Sequence, residues 1–346
     1  MSRVFVWATG QDDNLGDSAL RRGYLDALRR RGKLTVWHGP ASAGFVTGLG
    51  FQPGDRRTGS YRFWFLRALS TVLRVRTFIA VNAGEVPVSR MGAARMTTLV
   101  PLILLARIRG GGGLWLGAGV PDPLGDRSLA APYRLVAAVC SETGFRDESS
   151  RTVVGKRPVM PDWAFALGTA TAQWPELKER TLITLILRGD RPAPSEEWLA
   201  WFAKMSARLG LTPAVVVQVR RDYRRAQELS TAYAPDYFAW FVDDHAEHEA
   251  SVREVYRRSA VVVSDRLHAL IFAATEGAVP IGWVESSTGK VRRHFDTWGM
   301  RWVGANEGSP PFRLPMLDAG QLVELHDRLI AAVEDCRRQL DGIAAP

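Results

Sequence analysis

The sequence predicts an α/β protein made of two doubly wound, Rossmann-like domains facing each other, followed by a C-terminal helix. Three observations predict it. Short apolar runs of strand length alternate with helix-length amphipathic stretches along most of the chain. The runs are apolar nearly throughout, as parallel strands covered by helices on both faces are. The alternation pauses once, near 168–181, and then restarts. The expected parts are an N-terminal domain over 1–170, a C-terminal domain over 182–310 and a helix over 316–342.

The elements follow in order. RVFVWA (3–8) reads as a strand with β-branched and aromatic residues. DSALRRGYLDALRRRG then has helical periodicity and stops at Gly32. LTVWHG, TFIAVNAG, LWLGAG and ETGFRD repeat the strand theme, each ending in glycine or a polar residue. The second series runs TLITLIL, a helix at 195–209, PAVVVQV, helical residues near 222–232, a helix near 247–258, SAVVVSD, a helix over 266–276, and VPIGWV. PPFRLP (310–315) breaks the chain before the helical pattern from Asp318 to Leu340. In doubly wound sheets ligands bind outside the carboxyl ends of strands, so a cleft between two such domains is the expected site.

Composition narrows the function. A chain of 346 residues with 46% hydrophobic content can bury a full core. The most apolar run, LVPLILLARI (99–108), is short for a membrane span and contains Arg107. The opening MSRVFVWATGQDD has neither the signal-peptide nor the transit-peptide pattern, which predicts a cytoplasmic protein. Cys140 and Cys336 are far apart and outside any ligand spacing, so no disulfide framework and no metal site are expected. The formal charge is +9, and lysine occurs only at 33, 156, 178, 204 and 290. Arginine suits phosphate and carboxylate recognition. The excess fits an anionic substrate, or peripheral contact with the acidic inner surface of a membrane. RRRGK (29–33) and RRDYRR (220–225) read as solvated helix ends, and no helix-turn-helix, zinc-finger or RNP pattern points to nucleic acid.

The stretch SDRLHALIFAATEGAVPIGW (264–283) sets Asp265, Arg266 and His268 at the carboxyl end of a strand, ahead of an apolar helix. The unpaired N–H groups of a helix start favour an anion. Two readings stand: Arg266 and His268 bind a negative ligand, or Arg266 pairs with a neighbouring acid and His268 is a semi-buried structural histidine. Arg266 and His268 converge on one ligand only if the helix starts after Asp265 and Arg266 sits at the cap, with Arg188 or Lys290 opposite it. Replacing Arg266 by Lys, which keeps the charge and loses the two-pronged grip, is then expected to weaken binding and barely change stability. Arg188, ending TLITLIL, points into the same cleft.

These residues resemble a family. S-x-R-L-H-A-L-I-F-A-A, then G-x-V-P-I, then the lysine of S-T-G-K-V-R-R-H-F are similar to the signature of the polysaccharide pyruvyl transferases. N-L-G-D (14–17), G-F-R-D-E-S-S (144–150) and P-D-W-A-F-A-L (161–167) extend the resemblance over roughly 3–300. The resemblance implies a GT-B-like fold and transfer of the pyruvyl group of phosphoenolpyruvate to a sugar of a cell-surface glycan precursor, as a cyclic ketal. Phosphoenolpyruvate would be a donor substrate, with no cofactor and no metal, and the acceptor a glycan or lipid-linked sugar. It implies that Arg266 and His268 hold the phosphate, that Lys290 and Arg146 lie near the donor, and that Asp17 and Asn14 face the acceptor. His268, Asp17 and Arg266 form the implied catalytic set.

The family's Gly-Gly-Gly loop has no clear counterpart. Gly110–Gly113 precedes a strand and reads as a helix-to-strand turn, so the matching position is Asn82-Ala83-Gly84-Glu85, with one glycine. Asn14 and Asp17 also read as caps of a helix beginning near Ser18, and Arg146 and Asp147 as an ordinary ion pair. Asp162 reads as a turn residue, and Glu276 sits at the far end of its helix, outside the site. Trp163, Trp283 and Trp298 suit sugar stacking or core packing. The alternatives are a nucleotide-sugar glycosyltransferase, with Glu285 as a ribose ligand, and a non-catalytic glycan- or anion-binding protein.

Overall fold

The structure, a computed structural model, describes residues 2–121, 127–283, 290–304 and 316–345. It divides into two compact units, Met1–Asp12 with Asp17–Trp163 and Gln339–Pro346, and Asp13–Gly16 with Ala164–Arg338. In the first unit the order is β1 (Arg3–Trp7), α1 (Leu15–Arg29), β2 (Lys33–Trp37), α2 (Ala43–Gly48), β3 (Arg56–Thr58), α3 (Tyr61–Val72), β4 (Thr77–Ala80), β5 (Gly84–Glu85), α4 (Arg90–Ile108), β6 (Gly112–Gly119), α5 (Ala131–Val139), β7 (Glu142–Phe145) and α6 (Arg151–Val154). Every pairing in its sheet is parallel. β2 lies between β3 and β1, β4 between β1 and β6, and β7 follows β6. The two-residue β5 extends the β4 side of β6. The chain reverses its direction of winding between β1 and β4, so the loops leaving these strands open a crevice at their carboxyl ends.

α1 begins earlier than the expected start near Ser18. Asn14 caps it by accepting the Gly16 N–H at 3.0 Å, which sets Asp17 inside the first turn. Arginines of the basic run after it are fixed rather than solvated: Arg29 pairs with Asp55 at 2.7 Å and Arg31 with Glu142. Gly110, with φ +77°, ends α4, and a Cβ at Gly111 would lie 1.8 Å from the Thr77 carbonyl oxygen, so these two glycines are the turn the sequence predicts, while Gly112 and Gly113 are already paired in β6. LVPLILLARI becomes part of a longer element than expected. α4 has 19 residues, and its most apolar 18-residue stretch has a mean hydropathy of 1.4, enough by length and composition to cross a membrane. Its inner face, with Met96, Leu99, Leu102, Ile103 and Ala106, belongs to the unit's hydrophobic core.

The second unit contains β8 (Leu182–Ile186), α7 (Glu196–Leu209), β9 (Thr212–Val216), α8 (Tyr223–Tyr233), β10 (Asp236–Phe238), α9 (His245–Arg258), β11 (Ser259–Ser264), α10 (Leu267–Thr275), β12 (Val279–Gly282), α11 (Lys290–Thr297) and α12 (Ala319–Ala344) as far as Arg338. Its sheet is parallel in the order β10-β9-β8-β11-β12, and its winding reverses between β8 and β11. β11 is buried at all six positions, as its continuous apolar run requires. Arg337 of α12 donates to the carbonyls of Phe165, Leu167 and Thr169, so this cation serves the backbone.

Candidate functional site

At the reversal point of the second unit, β8 and β11 run side by side and their carboxyl ends are stitched together. Ser264 Oγ donates to the Ile186 carbonyl at 2.7 Å and accepts the Arg266 N–H at 2.9 Å. Arg266 stands at the N-cap of α10 with extended φ and ψ of −97° and 117°, so the helix proper starts after it. The first turn has no side-chain cap, although Ser42, Ser60, Ser89, Ser195 and Asp244 cap α2, α3, α4, α7 and α9. α5, α6 and α8 also lack a side-chain cap, and what sets α10 apart is that Arg266 stands at its N-cap and His268 in its first turn, at the carboxyl end of β11.

The residue opposite Arg266 is an acid. Its Nε and Nη2 donate to Asp222 Oδ2 and Oδ1 at 2.8 and 2.6 Å, and Asp222 also accepts the Gly189 N–H at 2.8 Å. Asp190 lies 3.9 Å from Arg266 and is itself clamped by Arg188 through two hydrogen bonds of 2.7 Å. Arg188 thus stands beside Arg266 through Asp190 rather than facing it directly. Lys290 opens α11, but its side chain and all of Glu285 lie outside the described residues. The sequence points to neither Asp222 nor Asp190, because both pairs join segments far apart in the chain.

Asp265 is a further group the sequence left without a role. It is 5% exposed; Oδ1 accepts the Arg188 N–H at 2.9 Å, and Oδ2 meets no hydrogen-bond donor among the described residues. Burial pushes its carboxyl up to about 6, against the pull of Arg191, Arg266 and Arg188. Such a carboxyl can hold a proton near neutral pH and still give it up.

The N-L-G-D segment joins the same unit. Asn14 bridges Val219, the Arg220 N–H donates to the Asp13 carbonyl at 2.9 Å, and Arg221 grips the Asp13 carboxylate with two bonds of 2.7 and 2.6 Å. Gly16 lies flush on His268, since a Cβ there would fall 2.3 Å from the imidazole Cγ and Nδ1. The glycine of the motif therefore makes room for the histidine. Gly16→Ala is expected to displace the His268 ring and to lower stability by about 1–3 kcal/mol, the cost of overpacking. That outweighs the gain of at most about 1 kcal/mol in helix propensity. Thermal unfolding checks the sign, and a more stable variant would mean the ring moves aside freely.

Arg146 and Asp17 belong to the first unit. Arg146 is fully buried, donates to Asp162 at 3.0 Å and lies 3.6 Å from Glu85, while its Nε meets no acceptor among the described residues. Asp162 is thus an ion-pair partner rather than only a turn residue. Asp147 accepts from the Ser149 and Ser150 side chains and the Ser150 N–H, which together hold its carboxyl below the usual range. Asp17 accepts the Gln11 N–H at 2.7 Å. Arg21 reaches from α1 to Asn82 Oδ1 and the Ala83 carbonyl, both at 3.2 Å, and so braces the loop that carries one glycine in place of the expected three. Glu276, in the second unit, is fully buried against Arg253, as a structural group would be.

A family model described as polysaccharide pyruvyl transferase matches residues 14–282. The chain belongs to this family. No curated protein matches the sequence. Among solved structures, HepE from Anabaena in complex with UDP and glucose aligns with a TM-score of 0.54 at 12% identity, over 99% of each chain. An O-GlcNAc transferase mutant from Thermobaculum terrenum gives 0.51 at 12%, over 100% of this chain and 65% of the other. A UDP-glucosyltransferase from Polygonum tinctorium gives 0.50 at 11%, over 99% and 97%. These similarities establish a GT-B fold for this polysaccharide pyruvyl transferase family member.

Of the tryptophans expected to stack on sugars or pack in the core, two are core residues in this transferase. Trp163 stacks on Tyr24 and donates to the Leu116 carbonyl, and Trp283 packs on Trp198. Beyond the ends of β9 and β10, a pocket of about 260 Å³ is lined by Arg220, Tyr223, Trp240 and Phe241. Phe241 is 85% exposed, and Arg220 lies over the Trp240 ring at 4.8 Å.

Proposed function

We propose that this transferase moves the pyruvyl group of phosphoenolpyruvate onto two hydroxyls of a sugar in a glycan or lipid-linked precursor, giving a pyruvate ketal and phosphate. The observation that carries the reading is the start of α10 at the carboxyl end of β11, with Arg266 at its N-cap and His268 in its first turn. Backbone N–H groups and a guanidinium at one point suit a phosphate. Arg188, braced by Asp190, is the nearby cation for the donor carboxylate.

The reaction needs one proton delivered and two removed. A proton adds to the donor methylene and makes the methyl group, while C2 takes on oxocarbenium character. One sugar hydroxyl bonds to C2 and loses its proton; the C2–O bond to phosphate breaks, and the second hydroxyl closes the ring. One hydroxyl proton restores the acid and the other leaves on phosphate. In this reading Asp265 supplies the methylene proton through Oδ2, and His268 accepts a hydroxyl proton. The exposed Phe241 offers a stacking face for the acceptor sugar.

Thermal shift with phosphoenolpyruvate, UDP and GDP tests the donor, since a ligand of the native state at about 100 times its Kd adds about 2.7 kcal/mol. Phosphoenolpyruvate is expected to raise the melting temperature; a shift with UDP and none with phosphoenolpyruvate would mean a nucleotide-sugar glycosyltransferase. Transfer run in heavy water is expected to leave deuterium in the ketal methyl group, and a product without it would remove the protonation step. Activity is also expected to persist in EDTA, because arginines and helix N–H groups neutralise the donor. Loss on chelation with recovery on added magnesium would overturn that account.

A further inference from the structure

The basic excess of the chain is concentrated in one segment. From Arg56 to Pro121 there are ten arginines and one acid, Glu85, an excess equal to the whole formal charge of +9. Eight of the ten are exposed, among them Arg62, Arg74, Arg76, Arg107 and Arg109. The segment holds α3 and α4, which lie side by side. Tyr61 hydrogen-bonds Thr98 at 2.5 Å, and Arg109 donates to the Leu73 carbonyl at 3.3 Å.

Apolar side chains line the outer faces of the same helices. Leu66, Leu69 and Leu73 follow one another at i, i+3 and i+7, and Pro101, Leu104 and Ile108 repeat the spacing on α4. Leu73 is 57% exposed and Ile108 80%. Single exposed leucines are ordinary, but two such rows on neighbouring helices, in a segment whose charged residues are arginines but for one, are not.

We propose that this α3–α4 face docks on an anionic lipid bilayer. The apolar rows enter the boundary between headgroups and acyl chains, and the arginines stay at the level of the lipid phosphates. The geometry argues against other occupants. A second copy docking by the same face would bring like charges together. A nucleic-acid backbone would answer the arginines but leave Leu73 and Ile108 without an apolar partner. α4 does not span the bilayer, because its inner face is fixed in the core of its unit.

Sedimentation of the full chain with vesicles tests the surface. Vesicles of phosphatidylcholine alone are compared with vesicles containing roughly one-third phosphatidylglycerol, a fraction that gives a strongly negative surface. Binding is expected with the anionic vesicles only, weakening as salt is raised. Leu73→Ser with Ile108→Ser, and separately Arg62→Glu with Arg74→Glu, are each expected to cut anionic-vesicle affinity by at least about ten-fold while melting temperature is retained. No pelleting at low salt, equal binding to both vesicles, or unchanged binding in both variants would overturn the proposal. So would wild-type protein that is dimeric without vesicles and becomes monomeric in the serine variant, since the face would then serve self-association.

Discussion

Arg266→Ala is expected to slow transfer by some 10²–10³ and to destabilise the protein at the same time. The activity term comes from the donor. A guanidinium that meets a phosphate is worth about 3–4 kcal/mol in the transition state, or some 10²–10³ in rate. The stability term comes from Asp222, which is 2% exposed and would lose both bonds from Arg266, keeping only the Gly189 N–H. An uncompensated buried carboxylate costs about 3–5 kcal/mol. For Arg266→Lys the sequence alone predicts little change in stability, because it does not show the acid. Arg266→Lys keeps the charge and loses the two-pronged grip, so donor affinity falls by about 1.5–3 kcal/mol, with a smaller drop in melting temperature. The double variant Arg266→Ala with Asp222→Ala separates the roles: removing both charges restores much of the stability but none of the activity. If that variant also regains transfer, Arg266 serves only to neutralise Asp222.

The pattern of strands and helices was legible because local sequence carries it. RVFVWA, TLITLIL and SAVVVSD are apolar runs that can only be interior strands, and each becomes one within two residues of its expected ends. The strands missed are β3, β5 and β10, which are two or three residues long and built from Arg-Arg-Thr, Gly-Glu and Asp-Tyr-Phe. Their pairing comes from neighbours, not from their own propensity. The start of α10 was legible for the same local reason, with Arg266 at the cap as the helical spacing required. What surrounds Arg266 was not. Asp222 lies 44 residues away along the chain and the Arg188 N–H lies 77 from Asp265, so only the winding of β8, β9 and β11 brings them together. The N-L-G-D motif read as a cap, which Asn14 is, but the reason for its glycine appears only when His268 is seen against it.

Asp265→Asn is expected to make the protein more stable and much less active. The carboxyl titrates at about 6 in the fold against an ordinary 3.8, so between those values the native state binds more protons than the unfolded chain. Stability from this group is therefore fully present below about pH 4 and is lost as pH rises through about 6, amounting to about 3 kcal/mol at most. Asparagine keeps an acceptor for the Arg188 N–H and has no charge to desolvate. The variant should thus melt higher than wild type at pH 7, and the difference should shrink as pH falls towards 4. Transfer should fall by about 10²–10⁴, the contribution of a positioned proton donor, while the shift in melting temperature caused by phosphoenolpyruvate persists, since no donor ligand has been removed. Wild-type turnover should decline as pH rises above about 6, where Asp265 loses its proton, and any transfer left in the variant should lack that decline. A variant that is stabilised yet turns over at the wild-type rate would leave Asp265 as a buried acid with no part in the proton transfer, and the methylene proton would have to come from His268 instead.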